Sequence, residues 1–354
     1  SILKQTLESI EIICVDDGST DDSLHILEEY QKRDPRIVVM HQENQFAGVA
    51  RNNGMKVARG KYLVFWDSDD FFDSTALEKM FNECERCDAE ICVCGGDRYY
   101  EALDLRVSTN AYLVKGRIPD SSPFNRFSNP EHIIDFTTVM IWNKMYLRSF
   151  VENKKLFFQS RRNGNDVFFS VCALCLANRI TVLEEALVCY RIGRSGSLVS
   201  TLDNAPFSPL EAWADARKKL ALLPGFPTRS FDKKVVGVIR HSFRNINSWE
   251  SYLCLYGYLK NEGINRLGIV EYEPGYYLPW MDEFLSHLFH DSCEDFLVYL
   301  MNFGYRKLDE ANAKKANETA ELKKQILKIR SSKSFKLGLF LTAPIRKIKL
   351  KHWN

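Results

Sequence analysis

The sequence predicts an α/β domain on a doubly wound, mostly parallel sheet, followed by a largely helical region. Two apolar runs that each end in clustered acids, and a strand–helix alternation at short spacing, lead to that reading. The first run, Ile10-Glu11-Ile12-Ile13-Cys14-Val15, ends in Asp16-Asp17-Gly18-Ser19-Thr20-Asp21-Asp22. The second, Tyr62-Leu63-Val64-Phe65-Trp66, ends in Asp67-Ser68-Asp69-Asp70. Such branched and aromatic runs suit strands buried on both faces. Open α/β sheets bind ligands at the carboxyl ends of their strands, so both acid clusters emerge where a ligand would sit.

Between the two runs, Gly18 permits a tight turn, and Ser19, Thr20 or Asp21 can cap a helix whose apolar positions include Leu24 and Leu27. A strand over Arg36–Met40 leads through Asn44–Ala47 into Gly48-Val49-Ala50-Arg51-Asn52-Asn53-Gly54, which opens a helix closing near Gly60. After the acidic cluster, Ser74–Cys87 reads as a helix and Ala89–Cys94 as a strand. Asp97–Phe127 is polar and irregular, consistent with a loop and hairpin, and Glu131–Tyr146 carries an apolar stretch into Trp142-Asn143-Lys144. Pro206 and Pro209 mark a boundary, and Pro224, Pro227, Pro274 and Pro279 punctuate the region beyond it. Three parts result: 1–205, a helical region 206–308 without a legible motif, and a tail 309–354.

The chain has 354 residues, 45% of them hydrophobic and 27% charged, enough for one large catalytic domain and an appended region. Its net charge of +2 conceals an asymmetry, because residues 322–354 hold ten Lys or Arg and no Asp or Glu. The remainder carries 38 basic against 46 acidic residues, a balance of −8. A basic tail on an acidic body points to an anionic surface as the tail's partner and away from nucleic-acid binding. Of ten cysteines, Cys84, Cys87, Cys92 and Cys94 are crowded, but their helix and strand positions do not make two Cys-x-x-Cys knuckles. They read as buried free thiols, which favours a reducing cytoplasm. No apolar run reaches the ~18 residues of a membrane span.

Val15-Asp16-Asp17-Gly18-Ser19-Thr20-Asp21, Ala50-Arg51-Asn52-Asn53-Gly54 and Asp67-Ser68-Asp69-Asp70 occur in that order. Further along stand Trp142-Asn143-Lys144-Met145-Tyr146, Gly164-Asn165-Asp166-Val167-Phe168-Phe169, and Tyr190-Arg191 with Gly196-Ser197-Leu198. Together, over roughly the first 200 residues, this ordered set resembles the family 2 glycosyltransferases, inverting enzymes with a GT-A fold. A lone Asp-x-Asp means little; six signals in order are specific. In that family a strand and most of a helix precede the point where this chain begins, at Ser1. Ser1–Ser9 reads as the end of that helix, so a gap is expected beside Glu11–Val15.

The resemblance implies a sugar-nucleotide donor, in which a departing diphosphate must be stabilised while a hydroxyl attacks. Three close carboxylates repel one another unless a cation or hydrogen bonds compensate them. Asp69 and Asp70 are therefore the expected contacts to Mn²⁺ or Mg²⁺ and ribose, with Asp67 supporting them. Asp17 resembles the acid that hydrogen-bonds the nucleobase, with Asp16 holding the turn. Arg51 and Asn52, and Arg191 and Arg194 after Tyr190, are expected at the diphosphate. Some relatives place a metal-binding His near the last pair; this chain has none from Ser170 to Ser200. The family's acceptor-side acidic pair reads here Asn165-Asp166, making Asp166 the expected general base and Asn165 an acceptor contact. Trp142 offers an apolar face for an acceptor sugar.

Each residue also has a plainer reading. The acidic run can be a solvated turn, Asp16 and Asp17 turn residues, Asn52 a structural amide, Asp166 a helix-start acid, and Trp142 part of the core. The tail interleaves Lys and Arg with Leu322, Ile326, Ile329, Phe335, Phe340, Ile345 and Trp353, a pattern for a membrane interface or for a helix packed on the body. The function expected is transfer of a hexose or N-acetylhexosamine, from a uridine diphosphate sugar, to a glycan or lipid-linked glycan acceptor at the inner face of the membrane. Two alternatives stand beside it. One is a non-catalytic relative that binds without transferring, hinted at by Asn165. The other is a haloacid dehalogenase-type phosphohydrolase using Asp67 and Asp69, although Phe71 stands where its motif wants Thr or Val.

Overall fold

The computed structural model describes residues 1–192 and 205–302. Ser1–Ser286 forms one compact unit. In chain order its first elements are β1 (Ile12–Asp17), α1 (Ser23–Arg33), β2 (Ile37–Gln42), α2 (Phe46–Val57), β3 (Tyr62–Val64) and β4 (Phe71–Phe72). Then come α3 (Ala76–Cys87), β5 (Ile91–Tyr100), β6 (Leu105–Ser108), β7 (Lys144–Leu147), α4 (Arg148–Asn153), α5 (Val167–Leu176) and β8 (Ile180–Ile192). The helical region supplies α6 (Ser208–Leu220), α7 (Thr228–Asn245), α8 (Trp249–Tyr258), α9 (Ile264–Leu267) and α10 (Pro279–His290). Ser1–Ser9 holds a short 3₁₀ turn, Ile2–Lys4, in place of the expected helix end.

The α/β class is the one expected, but the sheet is mixed and in two parts. β1 and β2 pair in parallel; the larger sheet runs β3-β7-β5-β8-β4, with β6 on β5. In that sheet β5 and β8 are parallel, while β3·β7, β5·β7, β4·β8 and β5·β6 are antiparallel. The departure from a mostly parallel sheet has a local cause. A parallel neighbour needs a crossover helix, whereas β7 returns from the long irregular segment after β6 and enters between β3 and β5 from the opposite end. β6 is the second arm of a hairpin and β4 comes directly after the acidic turn, so both run back. The hairpin lies inside the segment expected to hold one.

Among the described residues β1 pairs with β2 alone and β3 with β7 alone. Glu11 joins the two parts instead: its Oε1 accepts the backbone N–H of Arg59 (2.6 Å) and of Gly60 (2.6 Å) on the approach to β3. The core lies under the larger sheet, where α3 places Leu77, Met80 and Cys84 against Cys92, Cys94, Met145 and Val188. Cys84, Cys87, Cys92 and Cys94 are all buried thiols, and burial pushes Cys94 up to about 12. On the other side α5 is buried along Val167–Cys175. α6 packs on α5, and Arg161 pairs with Glu211 and Asp215 of α6. No helix among the described residues is long and apolar enough to cross a membrane.

Candidate functional site

Strand β3 stops at Val64 because the next two side chains leave the sheet to anchor a turn. Phe65 meets the rings of Phe158 (4.8 Å) and Phe169 (5.5 Å) edge-on. Trp66 stacks on Phe72 at 3.8 Å and donates its indole N–H to the Trp142 carbonyl (3.1 Å). Asp67, Ser68, Asp69 and Asp70 are thus carried on a turn fixed at both ends, by β3 on β7 and by β4 on β8. Asp70 is buried, and its Oδ1 accepts the backbone N–H of Arg191 (3.0 Å). Its Oδ2 is buried without a hydrogen-bond partner among the described residues. Burial first, then repulsion from Asp67 and Asp69, pushes its carboxyl up to about 7, against the Arg191 N–H. An orphaned carboxylate oxygen next to two further acids is what a hard cation would satisfy. Among the described residues no three His, Cys, Asp or Glu side chains group as a metal site, so Asp69 and Asp70 would need further oxygens from the ligand and water.

Helix α2 gathers the pieces. Arg51 donates one Nη to Asp67 Oδ1 (2.7 Å) and the other to Asn165 Oδ1 (2.8 Å), with its guanidinium over the Phe158 ring. One side chain therefore ties the acidic turn to the start of α5. Gly48 makes the approach possible, because a Cβ there would lie 2.1 Å from the Gln159 carbonyl and 3.1 Å from Asn165 Cβ. Gly48→Ala is therefore expected to push the 159–165 segment away, lowering the thermal midpoint and breaking the Arg51–Asn165 contact, checked by calorimetry and donor binding; a fully wild-type Gly48→Ala would show that the segment yields freely. Arg51→Lys is expected to cost roughly 10-fold or more in transfer, because an ammonium cannot span two acceptors as a planar fork does. Steady-state kinetics with unchanged thermal stability would separate that loss from unfolding.

Asp166 precedes α5 and its carbonyl accepts the Ser170 N–H (2.9 Å). Its carboxylate accepts its own backbone N–H. Burial raises its pKa, Arg51 opposes that first and Lys144 last, and Asp67 adds to it. Asp166 is thus within electrostatic reach of Arg51, Asp67 and Lys144.

The β1–β2 pair carries the other acid cluster. Parallel register sets Asp16 opposite His41 and Asp17 opposite Gln42. Buried Asp16 contacts His41 Nδ1 (2.7 Å), and its carboxyl lies below the ordinary range, Ser19 being the main cause. Asp17 Oδ1 accepts from Gln42 Nε2 (2.8 Å) and the Gln45 N–H (2.9 Å). Gln42 in turn accepts from Asn53 Nδ2 (2.7 Å), which links this cluster to α2. Gly18 closes the turn at φ +74°, where a Cβ would come within 2.8 Å of the Asn44 nitrogen.

Three expected contacts are placed elsewhere. Trp142 is 1% exposed, stacked on Tyr190 and edge-on to Tyr112, so it is core and offers no face to a sugar. Asn52 spends its amide on the backbone of Phe158, donating to the carbonyl (2.7 Å) and accepting the N–H (2.9 Å), and clamps scaffold in place of diphosphate. Asn165 is buried, engaged with Arg51 and donating to the Arg161 carbonyl (3.4 Å), so it orders the loop rather than facing an acceptor. Arg191 pairs with Glu101 (2.9 Å) and lies over Phe71 beside Asp70; Arg194 is outside the described residues. Gln42, His41 and Lys144 were not legible as site residues. A cavity of about 550 Å³ lined by Val49, Met55, Leu63 and Leu156 touches no acid of the turn.

An acidic turn at a strand end, fastened by an arginine to the Asn165 amide just before a buried helix on an α/β scaffold, has the architecture of a GT-A domain. S. aureus TarS 1-349, crystallised in complex with UDP-GlcNAc, has that fold in common with this chain: TM-score 0.64, 17% identity, 86% of each chain covered. Residues 1–153 match the family model Glycosyl transferase family 2, which makes that segment a member of the family. It is similar to the uncharacterized glycosyltransferase EpsJ of Bacillus subtilis (strain 168), 36% identical over 192 residues, 54% of this chain and 55% of that protein. It is also similar to glycosyltransferase GlyG of Streptococcus pneumoniae serotype 4, 41% identical over 209 residues, 56% of this chain and 66% of that protein. The chain spans about half the length of the first curated relatives it matches. The family match removes the dehalogenase alternative.

Proposed function

We propose that this chain transfers a hexose or N-acetylhexosamine from a uridine diphosphate sugar to a hydroxyl of a glycan or lipid-linked glycan, with inversion. The Arg51 bridge carries the reading, because it ties a donor-side acid, Asp67, to Asn165, the residue next to the acceptor-side Asp166, whose carboxyl the same guanidinium influences. Asp166 takes the acceptor hydroxyl proton as the oxygen bonds to the anomeric carbon; the bond to the diphosphate breaks and the diphosphate leaves with the electron pair. A single displacement from the face opposite the leaving group inverts the centre. Asp17 and its Gln42 partner receive the nucleobase, and Arg191 exchanges Glu101 for the diphosphate. Asp69 and Asp70 hold Mn²⁺ or Mg²⁺, which supplies positive charge against the departing diphosphate. The UDP-GlcNAc bound by TarS supports a uridine donor.

The basic tail lies outside the described residues; its composition supports a peripheral position on the cytoplasmic face of an anionic membrane. No observation favours a non-catalytic relative, since the one change behind it, Asn165, is accounted for by its bond to Arg51. The test is a calorimetric screen of sugar nucleotides with Mn²⁺ or Mg²⁺, then NMR of the product's anomeric centre. Retained configuration would sink the single-displacement reading, and failure of every sugar nucleotide to bind would sink the transferase one.

A further inference from the structure

Helix α6 opens the helical region and lies against the 159–165 loop. Its first residue, Ser208, donates its hydroxyl to the Asn163 carbonyl (3.2 Å). Gly164 turns at φ +74°, and a Cβ there would stand 3.2 Å from Pro209 Cα. Further along the helix, Glu211 and Asp215 share a face at i, i+4 spacing. Arg161 spreads its guanidinium across both, to Glu211 Oε2 (2.5 Å) and Asp215 Oδ2 (2.8 Å). Asp215 Oδ2 also accepts Gln159 Nε2 (2.7 Å). Gln159 and Arg161 are the two residues that hold Asn165 from within its own loop. The Gln159 N–H donates to the Asn165 carbonyl (3.2 Å), and the Arg161 carbonyl accepts Asn165 Nδ2 (3.4 Å). One carboxylate on α6 thus grips both holders of Asn165, the residue before Asp166. From Asn165 the hydrogen bonds run on through Arg51 to Asp67. Arg266 of α9 stands behind the two acids, at 3.7 Å from Glu211 and 3.9 Å from Asp215.

Helix α6 is already held by its apolar face, with Leu210, Trp213, Ala216 and Leu220 buried. Asp215 keeps a side-chain exposure of 32%, and an ion pair that open to water adds little to such packing. What it adds is direction, because hydrogen bonds from two points of the loop to one carboxylate fix the loop's angle. We propose that Asp215 is a positioning residue for the transfer: through Gln159 and Arg161 it sets the loop that holds Asn165 for Arg51 and aims Asp166 at the acceptor. The inference rests on the assignment of Asp166 as base. Asp215 acts through the loop, and through it the helical region, which carries no legible motif, takes part in the reaction.

The test is kcat for transfer read against donor affinity in Asp215→Ala, at a temperature where the variant is fully folded. A base moved by a fraction of an ångström loses rate, so kcat should fall about tenfold or more while calorimetric donor affinity stays within about twofold. Asp215→Asn, which keeps an oxygen for Gln159 or Arg161, should recover part of that rate. Asp215→Ala combined with Arg161→Met should lose no more than the worse single variant, because both changes open one contact. A lower thermal midpoint with unaltered kcat, or equal losses of kcat and donor affinity, would leave Asp215 a packing contact and overturn the proposal. Should Asp215→Ala not fold, Asp215→Asn decides on the same split: a loss of kcat alone supports the proposal, and full kcat overturns it. Normal transfer by Asp166→Asn would refute the base assignment and this proposal with it, whereas a slow Asp166→Asn beside an unaltered kcat in Asp215→Ala refutes only the role of Asp215.

Discussion

Chelation, or Asp69→Asn, is expected to lower transfer and donor hydrolysis by about 100-fold or more, the kinetic equivalent of a few kcal/mol of lost charge stabilisation. The turn concentrates Asp67, Asp69 and Asp70 within four residues, and the buried Oδ2 of Asp70 has no hydrogen-bond partner among the described residues. A diphosphate brought to that turn adds negative charge to negative charge. Without a cation the donor would be repelled, so both donor affinity and rate should fall. The control is thermal stability: Asp69 is only half-buried, so Asp69→Asn should fold like the unaltered chain. Calorimetry of donor binding with and without Mn²⁺ separates the arms. Full activity in chelator would end the metal assignment while leaving Asp166 untouched.

How much the sequence made legible depends on which forces act locally. Gly18 and the two acid clusters could be read because a turn at φ +74° and an abrupt end to an apolar run leave direct marks on residue type. Arg51 was legible as a functional cation, but its two partners were not, since they lie 16 and 114 residues away and depend on how closely α2 approaches α5. Trp142 was misread because an aromatic at a strand end looks the same whether it faces a ligand or Tyr190; only packing decides. The antiparallel entry of β7 was hidden by the irregular stretch before it, which carries no periodicity to show its direction. Lys144 was seen in its motif, but its burial was not. Its place in the Trp142–Tyr146 motif gave it no role, and nothing short of three converging oxygens marks it as buried.

Asp166→Asn is expected to reduce kcat by about 10² to 10⁴, the range over which a positioned general base contributes, while donor affinity stays nearly unchanged. The split is the diagnostic part. A group that acts only on the acceptor hydroxyl in the transition state alters kcat and leaves nucleotide binding alone. Asn has nearly the same size as Asp and removes the proton acceptor. Burial raises the carboxyl of Asp166, and Arg51 with Lys144 opposes that rise without cancelling it. Since the base works only when ionised, kcat should fall as pH falls through this raised value. Its acid limb should therefore lie above the ordinary carboxylate range near ~4 and be absent from the residual activity of Asp166→Asn. Folding carries the opposite sign: an acid whose folded pKa is raised holds its proton more tightly than the unfolded chain does. Asp166 therefore costs stability as pH rises from about 4 through its folded value, and Asp166→Asn should melt at or above the unaltered chain at neutral pH. A slower but equally stable or more stable variant fits a carboxylate retained for chemistry. If Asp166→Asn transfers sugar normally while Asp69→Asn does not, the proton goes elsewhere and Asp166 is an ordinary acid at the start of a buried helix.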